Sequence, residues 1–399
     1  MTRPYLRVVV LICLPFLLAA AFIAASRAQE ATPESTPQAQ PLLPRATPQR
    51  PSVAIDTVLM EGTEIRLGPG HTYAPIQMFP NGTEITITAR NRVGNWLEVR
   101  TTTASNTVVS GWVLTGYVVM EGIHLSAITV RDMPDADVAA VTNPNLARLY
   151  MVPVVPAIDE AMRAVFTRGQ AAGNNAGVVV KVGDSNSANR YYLTPINTSP
   201  VDLGPYDFLL DTVLFFAPAL PQEHVTARVG LNAYSLFDPS WGTAQCQSGE
   251  TPLACEYRLH RPSVAIVMFG PNDIRALNSE RWRDQMERLV EESLAAGVIP
   301  VLTTFSSLES DPDLAQQALR FNLILVEVAN QYDVPLINLW SAARSLPNFG
   351  IGGDGVHMTV GGGRVNFTEG QEARFGVSLQ NLLVLYTLDE LRRVVIDQG

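Results

Sequence analysis

The sequence predicts a three-layer αβα domain on a parallel sheet, preceded by a small all-β barrel. Three observations predict it. β-branched runs empty into polar turns, as where Val178 to Val182 lead into Gly183-Asp184-Ser185, and with no helical period they suit central parallel strands buried on both faces. Amphipathic stretches of helical length alternate with these runs, the signature of a parallel α/β sheet. Ahead of them, residues 52–122 carry short period-two runs broken by Gly, Pro and Asn, as in a small barrel or sandwich.

A length of 399 residues with 47% hydrophobic and 17% charged composition allows two or three domains and ample core. The formal charge of −10 argues against nucleic acid or an anionic membrane surface as the main partner.

In chain order, residues 1–28 place Arg3 and Arg7 before an apolar run from Val8 to Ala25 and the small-x-small sequence Ser26-Arg27-Ala28. That reads as a secretory signal cleaved after Ala28, with an uncleaved membrane anchor as the alternative. Cys13 falls inside this signal. Residues 29–51 are Pro-, Gln- and Thr-rich without periodicity, the composition of a disordered tether. Within residues 52–122, Glu84 to Thr88 and Trp96 to Arg100 alternate as strands, with turns at Gly68-Pro69-Gly70 and Pro80-Asn81-Gly82. Residues 123–149 are broken by prolines and read as a connecting segment, and residues 150–399 as the α/β domain. Its expected strands are Val178 to Val182, Val225 to Val229, Ser263 to Phe269, Ile299 to Thr304 and Val334 to Leu339. Its expected helices include Ala157 to Arg168, Ser279 to Ala296 with a cap at Gly297, Leu314 to Tyr332 and Leu379 to Val395.

The chemistry concentrates where these strands end, the place where open α/β sheets bind ligands. Ser185 follows the Val178 to Val182 strand, and a serine hydroxyl becomes a nucleophile only beside a base held by an acid. Of the five histidines, only His357 lies in a fitting segment, Asp354-Gly355-Val356-His357, where a spacing of three brings both side chains to one face. A third strand ends in Gly270-Pro271-Asn272-Asp273 and offers the Asn272 amide as an oxyanion donor. Asp184 and Asp273 read as acceptors for neighbouring backbone N–H groups. Cys246 and Cys255 flank one loop, and in an exported protein they are expected to form a disulfide. His260 is the one imidazole near them, so no metal set is expected. Gly361-Gly362-Gly363 lacks both the lysine of a phosphate loop and the strand context of a dinucleotide fingerprint, and no cofactor is expected.

Together, Gly183-Asp184-Ser185-Asn186-Ser187, Gly270-Pro271-Asn272-Asp273 and Asp354-Gly355-Val356-His357, in this order, resemble the SGNH (GDSL-type) hydrolase family over about the last 230 residues. The resemblance implies a flavodoxin-like αβα fold, Ser185 as nucleophile, and Asp354 and His357 completing the triad. It further implies an oxyanion hole from the Ser185 N–H, the Asn272 side chain and a glycine N–H, carried to Gly230 in the irregular block Val229-Gly230-Leu231-Asn232-Ala233. Likewise, Ile65 to Gly70, Tyr73, Gly82, Trp96 to Val99 and Gly111-Trp112-Val113 look like a bacterial SH3 (SH3b) domain. That resemblance implies binding to cell-wall peptide or glycan, with Tyr73, Trp96 and Trp112 as candidate surface aromatics. Tyr73 on its loop is preferred, Trp96 and Trp112 are more readily read as core, and a barrel serving only as a spacer stays open. The expected protein is thus a secreted or surface-tethered serine esterase acting on an acyl-ester substrate, such as an acylated glycan or lipid. A non-catalytic wall-binding protein with a degenerate hydrolase domain, and an acyltransferase using the same triad, stay open as alternatives.

Overall fold

The computed structural model describes residues 54–60, 62–70, 73–91, 93–103, 106–131, 144–221, 223–362, 365–368 and 370–398. The expected signal and tether lie outside these. Among the described residues no helix is long and apolar enough to cross a membrane.

The first sheet is antiparallel, with strands β1 (Ile55–Val58), β2 (Thr63–Arg66), β3 (Pro75–Phe79), β4 (Glu84–Arg90), β5 (Trp96–Thr102) and β6 (Val108–Leu114) in the order β1-β4-β5-β6-β2-β3. Period-two alternation shows directly in β4, where Ile85, Ile87 and Ala89 are buried and the residues between them are not. Trp96 and Trp112 are both 1% exposed and pack with Leu114 and with Ala373 of the α/β part. The barrel therefore closes its tryptophan cluster with a residue from the second domain. Gly94 and Gly116 mark the same junction: a Cβ at Gly94 would lie 3.1 Å from the Tyr386 hydroxyl, and one at Gly116 would lie 3.1 Å from the Gly370 nitrogen.

Helix Pro144–Met151 begins in the stretch read as a connector and runs into the range expected for the α/β domain, and Leu149 on it packs against Leu323 and Trp340. The second sheet is parallel, with β7 (Asn175–Gly183), β8 (Pro262–Met268), β9 (Ile299–Thr303) and β10 (Leu336–Ile337) in the order β10-β9-β8-β7. Every residue of β8 and β9 is buried, so both faces of the sheet are covered, which is why these strands read as continuous apolar runs. The covering helices include Ala161–Ala171, Ser279–Ala295, Pro312–Gln331 and Gly376–Leu391. Asn278 and Asp311 cap the second and third of these by accepting from backbone N–H groups of the first turn. Gly297 adopts φ 67° just past Ser279–Ala295, the left-handed stop that its glycine anticipates, and approaches Gly169 too closely for any Cβ.

Two expected strands change. Val334 to Leu339 shrinks to β10, because Asn338 caps a short helix that begins at Leu339. Val225 to Val229 is not a strand: it makes a single bridge, Ala227 to Gly183, because the backbone N–H groups of Val225 and Thr226 donate to the Glu256 carboxylate instead of to a ladder.

A second carboxyl is buried at the barrel junction. Glu372 is fully buried, accepts from the Tyr206 hydroxyl at 3.1 Å through Oε1, and has no partner for Oε2 among the described residues. Burial pushes it up to about 7 from an ordinary 4.5. A raised pKa means that the folded state keeps a proton that the unfolded chain releases, so the stability this group contributes below pH 4.5 is lost as pH rises through 7. Glu372→Gln keeps the acceptor for Tyr206 and cannot ionise. It is expected to be more stable than the wild type at pH 8, by roughly 1–3 kcal/mol, and no more stable at pH 4. Melting temperatures across that range test this, and parallel curves for the two proteins would refute it.

Candidate active site

β7 delivers the serine. Val179, Val180 and Val182 anchor the strand in the core, and Gly183 ends it in register with Met268 of β8. A Cβ at Gly183 would meet the Ser187 hydroxyl at 2.1 Å and the Met268 carbonyl at 2.2 Å, so only glycine lets the chain turn this close to its neighbour. The turn is then closed locally: Oδ1 of Asp184 accepts from Asn186 N–H at 2.9 Å, and the Asp184 carbonyl accepts from Ala188 N–H at 2.9 Å. Asp184 is fully buried, and burial pushes its carboxyl up to about 7. Ser185, in contrast, is half-buried at the tip.

The histidine loop meets it from 172 residues away in sequence. Nε2 of His357 lies 2.9 Å from Oγ of Ser185, and Nδ1 lies 2.7 Å from Oδ2 of Asp354. The spacing of three works because Oδ1 of Asp354 accepts the backbone N–H of His357 at 2.9 Å and of Val356 at 3.0 Å, folding the loop over its own acid. Those two backbone donors, and then the imidazole, hold Asp354 down at about 2, so it is ionised at neutral pH. The loop is braced from outside by Leu308 N–H donating to the Gly355 carbonyl at 3.2 Å. The side chains of Asp354 and His357 remain 54% and 49% exposed, so water reaches the line of three freely.

Sequence reading missed the residue that joins the two loops. Asn186 is buried; its Nδ2 donates to the Val356 carbonyl at 3.3 Å and its Oδ1 accepts from Met358 N–H at 3.0 Å. It thus grips the residues on either side of His357 while sitting next to Ser185. Its signal was present only as its place in Gly183-Asp184-Ser185-Asn186.

The turn after β8 supplies the third group. Gly270 has φ 136° and a Cβ there would strike the Phe305 ring at 2.1 Å, so the sharp exit depends on glycine. Asp273, pushed up to about 6 by burial, accepts from Gly270 N–H at 3.1 Å and from Ala233 N–H at 2.8 Å. Asn272 is half-buried, and its Nδ2 donates to the Leu231 carbonyl at 3.2 Å. Gly230, the residue before, sits in an exposed turn at φ 81°, a conformation that favours glycine. Asn272 and Gly230 therefore belong to two turns tied to each other by this side chain and by Asp273.

Elsewhere, Cys246 and Cys255 are joined as a disulfide, with Cα atoms 5.3 Å apart. Tyr73 is half-buried, its ring lying against Gly68 and its carbonyl accepting from Nη1 of Arg66 at 2.8 Å. Two clefts, one on the barrel beside Trp96 and Tyr117 and one between the barrel and Gly204 to Asp207, are not lined by Ser185, Asp354 or His357.

Residues 218–365 match the model of the GDSL-like lipase/acylhydrolase family, and residues 61–119 match that of the bacterial SH3 domain. No curated protein matches the chain. Solved structures similar to it include a GDSL-like lipase from Bacteroides thetaiotaomicron, at 14% identity and TM-score 0.36, covering 58% of this chain and 98% of that one. A lipase/acylhydrolase from Enterococcus faecalis matches at 17% identity and TM-score 0.35, over 54% of this chain and 95% of that one. An acetyl xylan esterase from Geobacillus stearothermophilus matches at 12% identity and TM-score 0.36, over 55% and 95%.

Proposed function

From a chain that carries a GDSL-type ester-bond hydrolase domain behind a bacterial SH3 domain, we propose that this protein is a serine esterase whose nucleophile is Ser185. The observation that carries this reading is the continuous line from Ser185 Oγ through the imidazole of His357 to Asp354, at 2.9 and 2.7 Å. Ser185 attacks the ester carbonyl while Nε2 of His357 takes its proton. Asp354, ionised and bonded to Nδ1, fixes the tautomer and balances the imidazolium that forms. The oxyanion is received by the backbone N–H groups of Ser185 and Gly230 and by the Asn272 amide. His357 then gives its proton to the departing alcohol, and water, activated by the same imidazole, releases the acid. The exposure of Asp354 and His357, 54% and 49%, favours water over a second alcohol as the acceptor, hence hydrolysis over acyl transfer.

The protein acts outside the cytoplasm, on acyl esters of wall glycans or lipids, with the barrel holding it at the wall through the Tyr73 loop. The Cys246–Cys255 disulfide supports an oxidising compartment. A fluorophosphonate probe followed by peptide mapping tests the nucleophile: one adduct, on Ser185, is expected, and labelling at another residue would refute the assignment. A panel of p-nitrophenyl esters and acetylated glycans, run on the same sample, then ranks the substrates.

A further inference from the structure

Glu256 is a fully buried carboxylate outside the line of three, in the helix Pro252–His260. Its Oε2 accepts from the backbone N–H of Val225 at 2.6 Å and of Thr226 at 3.3 Å, and its Oε1 bonds Nδ1 of His224 at 2.7 Å. Nε2 of His260 stands 3.7 Å from the same oxygen. A carboxyl group so deep in the protein is costly unless its oxygens are hydrogen-bonded, and here both are. The segment it grips is also pinned from its other side by the nucleophile strand. Gly183 N–H donates to the Thr226 carbonyl at 2.8 Å, Arg228 N–H to the Gly183 carbonyl at 3.2 Å, and the Thr226 hydroxyl to the Lys181 carbonyl at 2.8 Å. Gly183 lies two residues before Ser185, and Gly230 lies four residues after Thr226. A further tie runs from Arg228, whose Nη1 donates to the Trp241 carbonyl at 2.7 Å. Trp241 and Glu256 flank the loop closed by the Cys246–Cys255 disulfide and by the ion pair of Arg258 with Glu250.

We propose that Glu256 is a positioning residue for the oxyanion turn: it clamps the segment His224 to Arg228 between the nucleophile strand and the disulfide-closed loop, so that the Gly230 N–H is preset beside Ser185. This rests on the reading of Ser185 as nucleophile and Gly230 as donor. A backbone donor acts by its position, and a displacement of about 1 Å costs up to 10²-fold in rate. Because the bond to the oxyanion strengthens only as charge develops, losing the clamp lowers kcat and leaves KM in place. A carboxylate suits the position because one oxygen serves two backbone donors while the other serves the imidazole.

The test compares Glu256→Ala, Glu256→Gln and the wild type as the full chain, on one p-nitrophenyl ester, with melting temperatures and Ser185 labelling by a fluorophosphonate. Glu256→Ala is expected to lower kcat about 10- to 100-fold with KM changed less than about 2-fold, and still to label at Ser185. Glu256→Gln is expected to recover most of kcat, since its amide oxygen takes the two backbone N–H groups and its NH₂ donates to the imidazole. A folded Glu256→Ala with wild-type kcat overturns the proposal, as does equal loss in Ala and Gln. Should the Ala variant not fold, Glu256→Asp withdraws the carboxylate by one methylene; it is expected to lower kcat at constant KM, and an unchanged kcat overturns the proposal. A wild type that neither turns over nor labels at Ser185 overturns the reading of the site itself, and the clamp with it.

Discussion

Ser185→Ala is expected to lower kcat for ester hydrolysis by roughly 10⁴ to 10⁶, to abolish fluorophosphonate labelling, and to leave the melting temperature within about 2 °C of the wild type. On the proposed mechanism the size of the loss follows from Ser185, His357 and Asp354 acting as a unit: without the hydroxyl no acyl-enzyme would form, and the proton transfer assigned to His357 and Asp354 would have nothing to act on. The small effect on stability follows from the structure. Ser185 is half-buried, and the turn that carries it is held by Asp184 accepting from Asn186, by Asn186 bonding Val356 and Met358, and by Gly183 against β8. None of those bonds uses the Ser185 side chain. Turnover at the wild-type rate in the Ala variant would remove Ser185 from the mechanism.

What was legible in the sequence is what is encoded locally. The strand Val178 to Val182 announces itself because burial on both faces demands an apolar run, and Asp354 and His357 can be paired on paper because their Asx-type turn is four residues long. The helix Ser279–Ala295 begins at the expected residue and stops before Gly297 as its left-handed glycine requires. The parts that were not legible depend on contacts made across the chain. Val225 to Val229 has the composition of a strand, yet Glu256, some thirty residues on, takes the N–H groups a ladder needs. Nothing in Pro252 to His260 marks Glu256 as different from any acid on an amphipathic helix. Asn186 likewise reads as a turn residue until the His357 loop arrives to be gripped. The barrel tryptophans could be placed in a core by their size, but that Ala373 helps to close that core is visible only in three dimensions.

Asn272→Ala is expected to lower kcat by about 10² to 10³ with little change in KM, because a donor to the oxyanion is worth most when the negative charge has formed. Its geometry supports that role: one N–H of the amide is spent on the Leu231 carbonyl at 3.2 Å, which fixes the side chain at the edge of the Gly230 turn and leaves the second N–H to offer. Part of any loss in the Ala variant will come from releasing Leu231, and that part appears in the melting temperature, since the tie exists in the resting protein. Asp273, which accepts from Ala233 and Gly270, keeps the two turns together in its absence, so the shift in melting temperature is expected to be about 3 °C or less. Asn272→Asp sharpens the distinction. It fills the same space but sets an acceptor where charge develops, so it is expected to be slower than Ala even if both melt at the same temperature. Equal kcat in Asn272→Ala and the wild type, or an Asp variant faster than the Ala variant, would take Asn272 out of the oxyanion hole and leave it as a brace for the Leu231 turn.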